Sequence, residues 1–387
     1  MSNFGIVCEF NPLHNGHIRL FSAAREREAE RIVCVMSGNA VQRGELAIFD
    51  KYARAEAALK SGADLVLELP FPWSAASAEY FSSAAVLVLS HFCDNIIFGS
   101  ECGDIDRLSS AAERASSEEF RERFVARTES GERAAQVYFE MLSEGSEGGF
   151  SSNDLLGIEY IRAIKKLGIS MVPHTVCREG AGYNERTLTD GELPSATALR
   201  SVWQEGNFED SRRFMPQAAY EVFQKAYFEG AMTDIYQLSR ALLMYFRLHT
   251  PEQISGTAGM ELGIANRICS LANESASLEE LFEKLSTKRY TDAKLRRAML
   301  FALCSVKSEL LSALPEYTTL LAAKQRGREL LASVRKRDGI KVVTKPADAP
   351  SNSAQYDADR RLDALFTLAK MQPRQSGEFM KKGAFIE

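Results

Sequence analysis

The chain has no apolar run long enough to span a membrane, and no basic segment followed by an apolar core opens it. Neither a membrane anchor nor secretion is therefore expected. The seven cysteines, at 8, 34, 93, 102, 177, 269 and 304, are odd in number and never spaced CxxC. That argues against a disulfide framework and a structural zinc site, and fits a reducing, cytoplasmic setting. Histidine is scarce too: of the five, His91, His174 and His249 have no partner at a useful spacing. No internal repeat or low-complexity linker interrupts the sequence. What remains is 387 residues, 45% apolar and 26% charged, an ordinary globular make-up with room for two or three domains.

Charge is unevenly spread. From Lys284 to Lys341 fourteen Lys/Arg stand against five Asp/Glu, a local balance of +9; with a net charge of −5, the rest of the chain carries −14. A basic stretch on an acidic body suits a polyanion, although a solvated helical face has the same composition. Within it Ser286 to Arg297, STKRYTDAKLRR, sets Lys288, Arg289, Lys294, Arg296 and Arg297 around Tyr290. Cations for phosphates and an aromatic for an unpaired base are what RNA contact requires; a basic helix with one packed tyrosine is the plainer alternative.

The stretch FGIVCEFNPLHNGHIRL, Phe4 to Leu20, carries the strongest signal. Phe4 to Phe10 reads as a buried strand. Asn11-Pro12-Leu13 breaks it, and His14-Asn15-Gly16-His17 opens a helix. A helix that starts at a strand end points free N–H groups and a positive dipole end at whatever lies above the sheet, which is a phosphate site. His14 and His17, three residues apart across a Gly, add two donors. Taken alone such a pair is more often incidental or metal-binding than catalytic.

Further strands are expected at Arg31–Met36, Asp64–Leu69, Asn95–Phe98 and Ile169–Val176, with helices between them. Asp50 caps Lys51–Lys60, one helix covers about Ala76 to Ser90, and AVQRGELAIFD is read as a loop. The alternation predicts a parallel, Rossmann-like α/β sheet with ligands at the strands' carboxyl ends. Ala111 to Glu147 reads as a helical excursion, and Asn153-Asp154 as a helix start. Beyond Phe208 the chain is expected to be mainly α-helical, with no strand before Ile340–Thr344. Four pieces then converge: the histidine helix start; Gly99, whose bare backbone lets a base or ribose approach; Arg178, a fork for phosphate oxygens; and PSATALR, where Ser195, Thr197 and helix N–H groups hold phosphates with Arg200 one turn on. Each has a plainer alternative as turn glycine, surface arginine or helix cap. Asn153 suits a nucleotide contact or a cap, and Glu68 and Glu101 a cation, an amine or structure. No metal site built from protein side chains is expected.

In order, GIVCEFNPLHNGH, SGNAVQRGELA, DKYARAEAAL, SGADLVLELP, FGSE, NDLLGIEYI, Arg178 with its loop, SATALR and TKRYT resemble the bacterial tRNA(Met) cytidine acetate ligases of the HxGH nucleotidyltransferase superfamily. The resemblance runs to about residue 300. The family more often has a bulky residue where this chain has Ala40, and Pro where it has Leu46. The resemblance implies an ATP-dependent carbon–nitrogen ligase. It would activate acetate as acetyladenylate and acetylate N4 of the wobble cytidine of elongator tRNA(Met), with Mg²⁺ accompanying ATP and no stable protein partner. It further implies an ATP site at Val7, Cys8, Glu9, Phe10, Asn11, Pro12, Leu13, His14, Asn15, Gly16, His17, Ile18, Arg19 and Leu20, with Gly99, Asn153 and Arg178. Residues 1–205 would form the catalytic domain, with an excursion at about 104–150, and 206–387 a tRNA-binding region. An adenylyltransferase for a small phosphorylated metabolite, or a non-catalytic RNA-binding protein, are the competing readings.

Overall fold

In a computed structural model, which describes residues 2–144, 148–178, 195–286, 290–334 and 339–387, the first two hundred residues alternate strand and helix. They form β1 (Asn3–Cys8), α1 (Asn15–Glu26), β2 (Arg31–Ser37), a hairpin of β3 (Ala40–Val41) and β4 (Glu45–Leu46), α2 (Lys51–Lys60), β5 (Leu65–Leu69) and α3 (Ala78–Ser90). Then come β6 (Asn95–Ser100), α4 (Ile105–Ala115), α5 (Glu118–Glu129), α6 (Ala134–Ser143), α7 (Ser152–Lys166), β7 (Val172–Cys177) and α8 (Ala196–Gln204). Strands β5, β2, β1, β6 and β7 lie side by side in that order, all parallel. The chain therefore winds from β1 outward to β5, returns, and winds the other way through β6 and β7. The reversal falls between β1 and β6, where an open α/β sheet leaves a crevice at its carboxyl edge.

Strand alternation builds both faces. In β2, Ile32, Cys34 and Met36 pack with Phe21 of α1 and Leu59 of α2, while Val33 and Val35 point to the opposite layer with Leu89 of α3 and Ile161 of α7. The excursion α4–α6 joins that second layer through Leu108, Phe120 and Met141. The later part of the chain is mainly helical, with a core of its own around Phe246, Ile264, Leu281 and Met299. Phe214, Tyr220 and Phe223 instead pack under the sheet.

Three strands of the later part also belong to the sheet: β8 (Tyr317–Ala323), β9 (Lys341–Val343) and β10 (Phe385–Ile386). β8 runs antiparallel to β5, with β9 and β10 parallel to β8. The first of these corrects the expectation of no strand before residue 340. Leu320, Leu321, Ala322 and Ala323 favour helix locally, but pairing with β5 and burial on both faces override that preference. The segment read as a loop after β2 holds the β3–β4 hairpin.

The crevice floor is fixed by one buried cation. Asp50 caps α2 through Oδ1, which accepts the Tyr52 and Ala53 N–H groups at 3.1 Å each. One turn later Arg54 is fully buried. Its Nε donates to Phe49 O at 2.9 Å, and its Nη1 to Glu9 O at 2.6 Å and Ser37 O at 3.0 Å; Nη2 donates to Gly38 O. One guanidinium thus ties the exits of β1 and β2 to the entry of α2. Burial lowers its pKa to about 10, so it stays charged at neutral pH. Beside it Lys51 Nζ holds both oxygens of Glu68, at 2.7 and 2.9 Å. Asn39 links the Lys51 N–H (2.9 Å) to Asp363 (2.9 Å). Replacing Arg54 by Met orphans four carbonyls, so Arg54→Met is expected to lower stability by about 3 kcal/mol or more, read from chemical denaturation followed by circular dichroism.

Candidate active site

His14 is the N-cap of α1, and its Nδ1 accepts the Gly16 N–H at 3.1 Å; His17 Nδ1 accepts the His14 N–H at 3.2 Å. Each ring thereby caps the helix with Nδ1. In the neutral imidazole that places the proton on Nε2, the nitrogen turned away from the backbone. The ring centroids are 4.0 Å apart. Gly16 is required between them, because a Cβ there would come within 2.8 Å of His14 Cε1. Desolvation first, and the Arg178 charge second, lower the His14 pKa to about 3. Desolvation, His14 and Arg178 push His17 down as well. The site therefore presents two uncharged donors at the positive end of a helix. Phe10, which leads into this turn, sits at φ 45°, a strained conformation for an aromatic residue. It packs edge-on against His17 and Phe21.

Across the crevice, Gly99 lies at the end of β6, as expected, paired with Val176 of β7. A Cβ on it would meet Arg178 Cγ at 2.9 Å, so the arginine stem crosses bare backbone. Arg178 Nε stands 3.9 Å from Glu101 Oε1, which also accepts from Asn153 Nδ2 at 2.5 Å, while Oε2 accepts from Ser151 Oγ. Ser151, not Asn153, caps α7. Gly99, Asn153 and Arg178 are thus brought together, and Glu101 is what gathers them. The loop that follows Arg178, and Pro194, lie outside the described residues.

The third side is α8. Ser195 Oγ accepts the Ala198 N–H at 3.1 Å. Arg200 Nη1 donates to Asn11 O at 2.7 Å and Nη2 to Thr197 Oγ1 at 3.2 Å, with Glu45 Oε2 4.0 Å away. The second helix start is therefore docked on the turn that precedes the first. Of the expected ATP segment, Cys8, Phe10 and Leu13 are core side chains, and Val7, Ile18 and Leu20 pack partly against the core. Of these, Cys8, Phe10 and Leu13 offer a ligand little besides backbone. Asn11 Oδ1 accepts the Ile48 N–H at 2.7 Å, Asn15 Nδ2 donates to Arg213 O at 3.1 Å, Pro12 is buried and Arg19 is exposed.

The expected RNA contacts lie on the helix Asp292–Leu303 and just before it. Lys294 Nζ sits 5.1 Å over the Tyr290 ring and 2.9 Å from Glu261. Arg296 pairs with Glu45 of the hairpin, and Arg297 Nη1 donates to Gln42 O at 3.3 Å. Lys288 and Arg289 lie outside the described residues. Glu101, expected to serve a cation, an amine or structure, here holds Ser151 and Asn153, whereas Arg54 is not expected as a site organiser. The only local signal for Arg54 is its place in a quoted motif.

The depressed imidazoles make stability depend on pH. A histidine that titrates near its ordinary value unfolded and far lower folded takes up its proton on unfolding, so stability rises with pH and is lost as pH falls below about 6.5. Between pH 7 and 5 His14 alone is expected to cost about 2 kcal/mol. Denaturation of wild type and His14→Gln at both values should show that difference shrink in the variant.

A family model described as "HIGH Nucleotidyl Transferase" matches residues 1–379. A curated tRNA(Met) cytidine acetate ligase from Caldanaerobacter subterraneus subsp. tengcongensis is 32% identical, covering 95% of this chain and 96% of the relative. One from Acetivibrio thermocellus is 35% identical over 90% and 89%. Among solved structures, Thermotoga maritima TmcAL in an apo form superposes with a TM-score of 0.90 at 29% identity, and the same protein bound with alpha-thio ATP with 0.89 at 28%; each pairing covers 100% of both chains. With the motifs, the sheet order and these matches in agreement, the chain belongs to the tRNA(Met) cytidine acetate ligase family of HIGH nucleotidyl transferases.

Proposed function

We propose that this protein uses ATP to convert acetate to acetyladenylate and then acetylates N4 of the wobble cytidine of elongator tRNA(Met). The observation that carries the reading is the neutral imidazole pair at the start of α1, facing Arg178 across the sheet's reversal point. It is supported by the relatives' shared name and by the likeness to a neighbour that holds an ATP analogue.

Acetate cannot acylate an amine directly, because its leaving group would be oxide. Joining it to AMP supplies a phosphate leaving group. An acetate oxygen approaches the α-phosphorus opposite the departing pyrophosphate, and charge builds on the phosphoryl oxygens. In this reading His14 and His17 donate Nε2–H to those oxygens. Arg178 and Arg200, with Ser195, Thr197 and the first turn of α8, hold the leaving pyrophosphate. Gly99 and Asn153 border the nucleoside. Fixed donors of this kind act mainly by positioning and by stabilising charge without reorganisation. Among the described residues no group of three or more His, Cys, Asp or Glu side chains gathers to hold a metal ion. The Mg²⁺ expected with ATP would travel with the triphosphate and offset its charge.

The tRNA reading assigns residues 1–205 to activation and 206–387 to docking, with Lys288, Arg289 and Tyr290 of the basic stretch among the residues that meet the RNA. The anticodon base is unpaired and can enter a crevice that a duplex cannot. The compartment expected is the cytoplasm; among the described residues no helix is long and apolar enough to cross a membrane. Two outcomes are expected. His17→Ala slows acetate-dependent pyrophosphate release by roughly 10²–10³-fold, the typical loss for one charge-stabilising donor, in a coupled phosphate assay. Lys288→Glu with Arg289→Glu weakens tRNA binding and flattens its salt dependence by roughly one unit of slope per lost phosphate contact, read by filter binding at two ionic strengths.

A further inference from the structure

Glu9 is an anion set among groups that suit a triphosphate. It follows β1 directly. Its carbonyl accepts from Arg54 and its Oε1 accepts the Gln42 N–H at 2.8 Å. Among the described residues no donor reaches Oε2, and the residue is partly exposed. One carboxylate oxygen is thus anchored to the hairpin, while the other, in a half-buried residue, keeps its lone pairs uncommitted. The other acids here are committed. Glu68 has both oxygens on Lys51, Glu101 has both on Ser151 and Asn153, and Glu45 pairs with Arg296 and neighbours Arg200. Nor do the imidazoles have a lone pair to offer, since each Nδ1 already accepts a backbone N–H.

The second half of the reaction needs such an acceptor. When the cytidine N4 attacks the acetyl carbonyl, an N–C bond forms and the C–O bond to the phosphate of acetyladenylate breaks. AMP leaves with that electron pair. The amine brings two hydrogens and the amide keeps one, so one proton must be taken up. We propose that Glu9 is the general base of acetyl transfer, with Oε2 receiving the N4 proton while Oε1 stays on the Gln42 N–H. This rests on the ligase reading above. A negative side chain repels a triphosphate and is poorly explained as an ATP ligand, whereas an amine that loses a proton is its natural partner.

The surroundings tune it. Burial raises the Glu9 pKa and the Glu45 carboxylate raises it further; the Gln42 N–H, Arg200 of α8 and Arg54 of α2 pull it down. Tyr160 of α7 feels the Glu9 charge, and Cys8 adjoins it in the chain. A carboxylate raised above its ordinary value is a stronger base at neutral pH.

The test separates the two half-reactions in the full chain. For Glu9→Gln, single-turnover acetyl transfer from acetyladenylate to tRNA should fall by roughly 10²–10⁴, the usual contribution of a general base, and by far more than acetate-dependent pyrophosphate release does. Glu9→Asp should recover part of the transfer rate. The wild-type transfer rate should fall as pH drops through the carboxyl's ionisation, and Glu9→Gln should lose that limb. Transfer at the wild-type rate in Glu9→Gln, or equal losses in both half-reactions, would overturn the assignment while leaving the ligase reading intact. A wild-type protein that releases no pyrophosphate with acetate overturns the ligase reading, and the role of Glu9 with it.

Discussion

The guanidinium of Arg54 is the contact on which the crevice depends. The carbonyls it binds come from the exits of two strands and the approach to a helix. None of these segments can satisfy the others, because parallel strands leave their terminal carbonyls unpaired where the chain turns away. A planar fork with five N–H donors meets that need in one residue, and a lysine has no comparable geometry. Among the described residues its hydrogen bonds go to backbone carbonyls and none to a carboxylate. Its charge is therefore offset only by dipoles and by more distant acids, Asp50 foremost. A positive floor beneath a helix start favours anions in the space above.

On that floor the site separates neutral donors from cations. The histidines are desolvated and uncharged, while Arg178 and Arg200 reach in from β7 and α8. A charged imidazole beside Arg178 would be repelled and would also lose the Nδ1 lone pair that caps the helix. Geometry and electrostatics therefore select the same protonation state. The motif spacing has a structural reason as well: residues N-cap and N3 are the two positions whose side chains can cap reciprocally.

The parts that could be read in the sequence are those governed by neighbours in the chain. Asp50 as a cap, the histidine helix start and the apolar strands need only local rules, and they stand where expected to within a few residues. What escaped depends on distant partners. β8 is rich in leucine and alanine, and only its pairing with β5 makes it a strand. Arg54, within KYARAEAAL, looks like the polar face of an amphipathic helix until three other segments bring their carbonyls to it. Arg296 and Arg297 were grouped with the basic stretch, yet the hairpin that engages them lies some 250 residues earlier. A count of charges along the chain cannot see such a partner.

The antiparallel strand β8 also bears on how the molecule is made. Synthesis runs from the amino end, so β5 leaves the ribosome some 250 residues before the strand that covers it. Throughout that interval the nascent sheet ends in a row of bare N–H and C=O groups on a fully buried sequence, LVLEL, the kind of border that recruits other chains. Some 250 residues must follow β5 from the ribosome before that edge of the nucleotide-handling half is sealed. The longer that border waits for its partner, the longer the half-built sheet stays open to pairing with another chain.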